Sequence, residues 1–183
     1  MRVISGKWKG HPLKAVPGKG TRPTTDKVKE AIFQIIGPYF EGGIGLDLFA
    51  GSGGLGIEAI SRGAEKVIFV DQQSAAIATI HKNIKQLNME DQTEVYRTDA
   101  FRALKATAKR ELTFDWIFLD PPYGKVSFEK LFETILELQL IQRGSVVICE
   151  HTPEQVLPEA MGALKLYKSV NYNAIQVSYY QYA

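Results

Sequence analysis

Asp47-Leu48-Phe49-Ala50-Gly51-Ser52-Gly53-Gly54-Leu55-Gly56 is the stretch on which the fold turns. An apolar run, Ile44-Gly45-Leu46, precedes it, and a helical pattern follows to about Arg62, where Gly63 ends it. The stretch therefore reads as the glycine-rich turn of a strand-turn-helix unit, a place where a nucleoside can approach the backbone closely because no side chains intervene.

Working outward from the turn, the same alternation continues. Val67-Ile68-Phe69-Val70 reads as a second strand, and Ile77, Ile80, Ile84 and Leu87 mark the inner face of the next helix. Val95-Tyr96 centres a third strand. A helix over Phe101 to Ala108 leads to a fourth at Trp116-Ile117-Phe118-Leu119, and Leu131, Ile135 and Leu138 mark a helix before a fifth at Val146 to Cys149. Successive beta-alpha units imply an α/β domain with a mostly parallel sheet covered on both faces. Leu164 to Val170 and Ile175 to Tyr182, with a turn between them, predict an antiparallel C-terminal hairpin on the sheet edge. On the other side of the turn, Val28, Ala31, Ile32, Ile35 and Ile36 form a helical stripe closed by Gly37-Pro38. Residues 26–183 are expected to be the main domain. Residues 1–25, broken by Gly and Pro, are expected to be a small N-terminal β-hairpin appendage.

Composition narrows the class. With 183 residues, 45% hydrophobic and 23% charged, one ordinary domain is expected. No apolar run reaches membrane-spanning length and no signal-like stretch opens the chain, so a cytoplasmic location is expected. The single Cys149 forms no internal disulfide and reads as buried strand filler, while three scattered histidines suggest no metal site. The net charge of +2 is unevenly distributed. Arg2, Lys7, Lys9, Lys14, Lys19 and Arg22 give the first 25 residues +6 without one acid, leaving about −4 for the remainder. A polyanion would meet this segment, including Trp8, first.

The candidate site follows from strand ends. Gly51-x-Gly53-x-x-Gly56 fits a dinucleotide fingerprint as well as the turn for S-adenosylmethionine. Asp47, four residues before the first glycine, favours the latter, whose ammonium and sulfonium suit a carboxylate better than a diphosphate does. It also reads as a strand-end acid bonded to backbone amides. Asp71, 20 residues after Gly51 and followed by Gln72, is placed to accept from ribose hydroxyls. Asp99 beside Ala100 can take an adenine amino group or cap the helix that follows. Asp120-Pro121-Pro122-Tyr123 leaves the fourth strand where ligands of parallel sheets bind. An exocyclic amine is a poor nucleophile because its lone pair is delocalised. The Asp120 carboxylate and the Pro121 carbonyl, held by the stiff Pro121-Pro122 backbone, can each accept one of its N–H groups and free that pair, while Tyr123 offers a stacking face.

Together, Asp47 to Gly56, Asp120 to Tyr123 and Thr21-Arg22-Pro23-Thr24-Thr25-Asp26-Lys27-Val28-Lys29-Glu30 resemble the RsmD-type group of class I methyltransferases. Arg2-Val3-Ile4-Ser5-Gly6 and Glu58-Ala59-Ile60-Ser61-Arg62-Gly63-Ala64 are similar too. The resemblance implies a Rossmann-like fold with a seven-stranded sheet and S-adenosylmethionine as methyl donor. It further implies a flipped guanine of 16S ribosomal RNA as acceptor at N2, within the small subunit or an assembly intermediate. Carried to this sequence, it gives Asp47, Phe49, Ala50, Gly51, Ser52, Gly53, Gly56, Asp71, Gln72, Asp99 and Ala100 to the cofactor. Asp120 with Pro121, Pro122 and Tyr123 goes to the amine; Arg22, Thr24 and Thr25 go beside the target, where Thr25 also reads as a helix start. Arg2, Lys7, Trp8 and Lys9 are the expected RNA contacts. Other readings stay open: adenine N6 or a glutamine amide as acceptor, an NAD-dependent oxidoreductase, or a non-catalytic RNA-binding assembly factor.

Overall fold

The computed structural model describes residues 1–18 and 24–183. Helix α1 (Asp26–Ile36) precedes β1 (Ile44–Asp47), α2 (Gly54–Ser61), β2 (Lys66–Asp71), α3 (Ser74–Gln86) and β3 (Thr93–Arg97). Then come α4 (Ala100–Lys109), β4 (Phe114–Leu119), α5 (Phe128–Glu137), β5 (Ile141–His151), β6 (Ala160–Met161), β7 (Leu164–Tyr172) and β8 (Ile175–Tyr182). The strands form one sheet in the order β3-β2-β1-β4-β5-β8-β7-β6. The first five are parallel, and β8, β7 and β6 continue the sheet antiparallel. Seven strands were expected; the eighth is the two-residue β6, too short to carry a sequence pattern of its own.

The strand sequences fit two covered faces. Val67 and Phe69 of β2 pack with Ile32 and Phe33 of α1, Ile57 and Ile60 of α2, and Ile80 and Ile84 of α3. Their neighbours Ile68 and Val70 point the other way, into a second core with Leu104 of α4 and Leu131, Phe132 and Ile135 of α5. Cys149 is fully buried in that second core, as the strand pattern predicts.

Order in the sheet sets the site. From β1 the chain moves one way to β2 and β3, then crosses back through α4 to place β4 on the opposite side of β1. The connections after β1 and β4 therefore part from each other at the carboxyl end of the sheet and leave a crevice between them.

Among its described residues, the N-terminal segment folds back as a hairpin without the two-stranded ladder that was expected. Instead of two strands, it has one antiparallel bridge, Arg2 to Pro12, with backbone bonds Val3 N to His11 O (2.9 Å) and Leu13 N to Met1 O (2.9 Å). Pro12 lacks the N–H that a longer ladder needs, and Gly6 and Gly10 take positive φ. Val3 and Leu13 are buried in the same core as Phe33 and Ile60. The fully buried Glu58 carboxylate holds the segment down, accepting from Ile4 N (2.9 Å), Ser5 N (3.1 Å) and Arg62 Nε (2.7 Å), with Lys29 Nζ at 3.6 Å. Among the described residues no helix is long and apolar enough to cross a membrane.

Candidate active site

The crevice is a cleft of about 560 Å³, in the size range of small-molecule sites. It joins a smaller recess of about 70 Å³ through Phe49, Gly51, Ser52 and Asp120, which line both. The glycine turn shapes the shared wall. Gly51 and Gly53 lie at φ +58° and +84°, and a side chain on Gly51 would project into open space where a ligand can lie against the backbone. Gly56 has a different job: a Cβ there would come within 2.4 Å of Phe69, so its bareness lets α2 pack against β2. Ala50 lines the recess. Gly53 and Gly56 line neither space, and Gly53 instead caps α2.

Carboxylates dominate the walls. Asp71 closes β2 and lines the cleft beside Gln72; its oxygens accept from Gly51 N and Gln73 N, both at 2.9 Å. Asp99 takes its helix-cap reading and also stands where the cofactor reading puts it, on the cleft wall. It caps α4, accepting from Arg102 N at 2.9 Å, and lines the cleft next to Ala100. Asp47 is buried at the recess floor, where it accepts from Gly56 N at 3.1 Å. Burial pushes its carboxyl up to about 7 against that hydrogen bond, and the charges of Glu150 and Asp71 add to the rise.

Asp120 opens onto both spaces, with Pro121 and Pro122 on the cleft wall. The residue as a whole is exposed to the cleft, with its carboxyl set toward Glu150. It shares a side-chain hydrogen bond with Glu150, the residue at the corresponding point of β5, since Leu119 of β4 pairs with Cys149. Burial raises Asp120 well above the ordinary carboxylate range, helped by Glu150 and then Asp47. Burial raises Glu150 as well, opposed by its hydrogen bonds with Asp120 and with Thr24, whose Oγ1 donates to Glu150 Oε1 at 2.9 Å. Tyr123 is 68% exposed just outside the cleft, with an open face.

The remaining expected residues divide. Thr25 caps α1, accepting from Val28 N at 3.2 Å, which is its helix-start reading. Arg2 sits near the recess, pairing with Asp26 at 3.3 Å while its carbonyl accepts from Lys29 Nζ at 2.6 Å. Lys7, Trp8 and Lys9 are elsewhere. Lys7 N donates to Ser61 O (2.8 Å), and the Trp8 indole donates to Leu87 O (2.9 Å), at the far ends of α2 and α3. This hairpin tip is therefore at the foot of the sheet, about 10 Å of helix axis from the cleft, and Trp8 packs against the core instead of offering a stacking face. The expected contact by Arg22 lies outside the described residues.

Sequence reasoning missed Glu150 and Lys29. Glu150 follows the apolar run Val146 to Cys149 as Asp120 follows Trp116 to Leu119, a positional signal that the strand pattern already carried. Lys29 lies in helical register with Ile32, Phe33 and Ile36, and a cation inside an apolar stripe is a marked anomaly. It is buried against Glu58, lines the recess, and is held below its ordinary range by that burial. Among the described residues no group of three or more His, Cys, Asp and Glu is placed to hold a metal ion.

The donor set tests the cofactor. Among the described residues, Asp71, Asp99 and Asp120 line the cleft with Lys125, and Asp47 lines the recess with Lys29. Such walls repel a diphosphate and suit a nucleoside carrying ammonium and sulfonium charge, so the site fits S-adenosylmethionine rather than NAD.

The family model described as conserved hypothetical protein 95 matches residues 1–181. A Bacillus subtilis protein named as an rRNA methyltransferase, YlbH, is 54% identical over 181 residues, 99% of this chain and 98% of that protein. Ribosomal RNA small subunit methyltransferase D of Buchnera aphidicola is 34% identical over 180 residues, 97% of this chain and 91% of its own. A solved Escherichia coli structure named as the methyltransferase yhhF superposes with a TM-score of 0.86 at 27% identity, covering 100% of this chain and 97% of that one.

Proposed function

This chain belongs to the conserved hypothetical protein 95 family, the RsmD-type enzymes that its motifs resemble, and we propose that it methylates the exocyclic N2 amine of a guanine in 16S ribosomal RNA. It is a methyltransferase that uses S-adenosylmethionine. The carrying observation is the meeting of Asp120, Pro121 and Pro122 with Asp47, Asp71 and Asp99 around one cleft at the sheet's switch point.

S-adenosylmethionine supplies an electrophilic methyl group when bound. Asp71 and Asp99 orient the nucleoside end through their free lone pairs, and the Asp47 carboxylate faces the cationic end. Asp120 accepts one N–H of the target amine and the Pro121 carbonyl accepts the other, which turns the nitrogen lone pair toward the methyl group. Tyr123 stacks on the base, and the exposed position of this ring supports a target flipped out of its helix.

The relatives' names support ribosomal RNA of the small subunit as the substrate, which carries with it a cytoplasmic location and a subunit or assembly intermediate as partner. Cations at the mouth support the approach of a phosphate backbone. Lys125 lines the cleft, Lys130 lies 5.6 Å above the Phe101 ring, and the Arg102 side chain is exposed.

The test is transfer of labelled methyl from S-adenosylmethionine to small subunits lacking the modification, with mass spectrometry of the nucleosides. N2-methylguanosine is the expected product, and a methyladenosine overturns the choice of base. Asp120→Ala is expected to lower turnover by at least a hundredfold while changing cofactor affinity only a few-fold; equal losses would refute the role given to Asp120.

A further inference from the structure

Glu150 is spent on Asp120. It is 4% exposed, beyond the reach of bulk water, and does not line the cleft. Its described hydrogen bonds run to Thr24 on one side and Asp120 on the other. Two neighbouring carboxyls at paired strands, one of them buried, cannot both carry full charge without a penalty, so they share a proton. Thr24 donates to Oε1 of Glu150, and this bond together with the one to Asp120 favours the charged form of Glu150, so the shared proton sits on the Asp120 oxygen that faces it.

We propose that Glu150, fixed by Thr24, is the positioning residue that accepts the shared proton's hydrogen bond from Asp120 and so turns the other Asp120 oxygen to accept the target N–H. The pair also takes up the proton that the amine releases. This rests on the amine methylation proposed above. The balance closes. The nitrogen lone pair forms the new N–C bond, and the electrons of the methyl–sulfur bond stay on sulfur. One N–H proton passes to the free Asp120 oxygen as Asp120 hands its own proton to Glu150, and the N–H bonding electrons return to nitrogen. The pair begins with one proton and one negative charge, offsetting the cationic donor, and ends with two protons and none, beside a neutral product. No net charge is left in a site that solvates charge poorly.

The groups around the pair are few. Asp47 faces both carboxyls from β1 or its end, and Lys29 of α1 shares the recess with Asp120. Tyr179 faces Glu150 from β8, its hydroxyl buried and without a hydrogen-bond partner among the described residues. Asp47 and Tyr179, when charged, disfavour a second negative charge on the pair, and Lys29 opposes them.

The experiment begins with the free protein. Carbon-13 NMR of side-chain carboxyls, labelled at Asp and Glu, follows the pair through a pH titration. One proton is expected to remain on the pair at pH 7, with Asp120 and Glu150 titrating in linked steps, and Glu150→Gln is expected to reduce them to a single Asp120 step. Both carboxyls fully ionised and independent at pH 7 would overturn the inference, whatever substrate the enzyme takes. In single-turnover methyl transfer, loss of the pair's last proton gives the wild type an alkaline limb. Glu150→Gln does not titrate and cannot take up the proton, so that limb is expected to disappear while the rate at pH 7 falls on the order of tenfold. An unmoved limb overturns the inference. Should Glu150→Gln fail to fold, Thr24→Val keeps the carboxylate and removes its donor, so the last proton is expected to be held to higher pH; no movement again overturns it. A product other than N2-methylguanosine revises the proposed substrate and leaves the NMR result standing.

Discussion

Asp47→Asn is expected to make the ligand-free protein more stable at pH 8 and to spoil it as an enzyme. Burial holds the Asp47 carboxyl at about 7 against an ordinary value of 3.8. Between those two values the folded chain keeps a proton that the unfolded chain has released, so this group's contribution to stability falls as pH rises through the window. Above pH 7 the folded state carries the full penalty, about 4 kcal/mol for a shift of roughly three units. Asparagine removes the charge and keeps an oxygen to accept from Gly56 N, now 3.1 Å from Asp47 Oδ2. Its buried NH2 brings a new unmet donor worth about 1–3 kcal/mol, leaving a net gain of about 1–3 kcal/mol at pH 8. For a chain of this size that corresponds to a rise in Tm of roughly 3–10 °C, shrinking to nothing or reversing near pH 4. Paired thermal melts of wild type and variant at pH 4.5 and pH 8 isolate the effect, because the other raised carboxyls are common to both. An identical Tm difference at the two pH values would refute the reasoning. The wild type should also bind S-adenosylmethionine more weakly by up to tenfold for each unit below pH 7, with proton release measurable by calorimetry, while the variant binds weakly with no such dependence.

Two further outcomes follow from the N-terminal segment. Lys7→Glu with Lys9→Glu is expected to change RNA affinity less than Lys125→Glu alone at equal salt, because the tip lies at the foot of the sheet; filter binding across a salt series checks this. Glu58→Gln leaves Lys29 and Arg62 buried without their shared counter-charge and should lower stability to urea by about 3–5 kcal/mol, with faster amide exchange at Ile4 and Ser5.

Much of this was legible in the chain. Covered strands read as unbroken apolar runs, helices as 3.6-residue stripes, and strand-end acids and the Asp-Pro-Pro-Tyr loop stand at fixed positions relative to them. That is why β1 to β5, α1 to α5 and the cleft-lining Asp71, Asp99 and Asp120 were all found from spacing. Where the basic side chains go was not legible, because charge summed along residues 1–25 says nothing about direction. Arg2 comes back beside the recess, but Lys7 and Trp8 are carried to the opposite end by hydrogen bonds to Ser61 and Leu87, residues more than fifty positions away.

The sequence by itself determined the class of fold, the turn that receives a nucleoside and the loop that receives an amine, because each is local and set by backbone freedom, side-chain periodicity or a short run of residues. Only the tertiary structure decided which charges face one another. Glu150 and Asp120 are 30 positions apart and become partners because β4 and β5 pair in register. Thr24 joins them across the chain, and Lys29 becomes a buried counter-ion because Glu58 lies on the facing helix. Spacing alone does not report such meetings, since their energy comes from removing charged groups from water together, and that happens only when the sheet and its helices close over them.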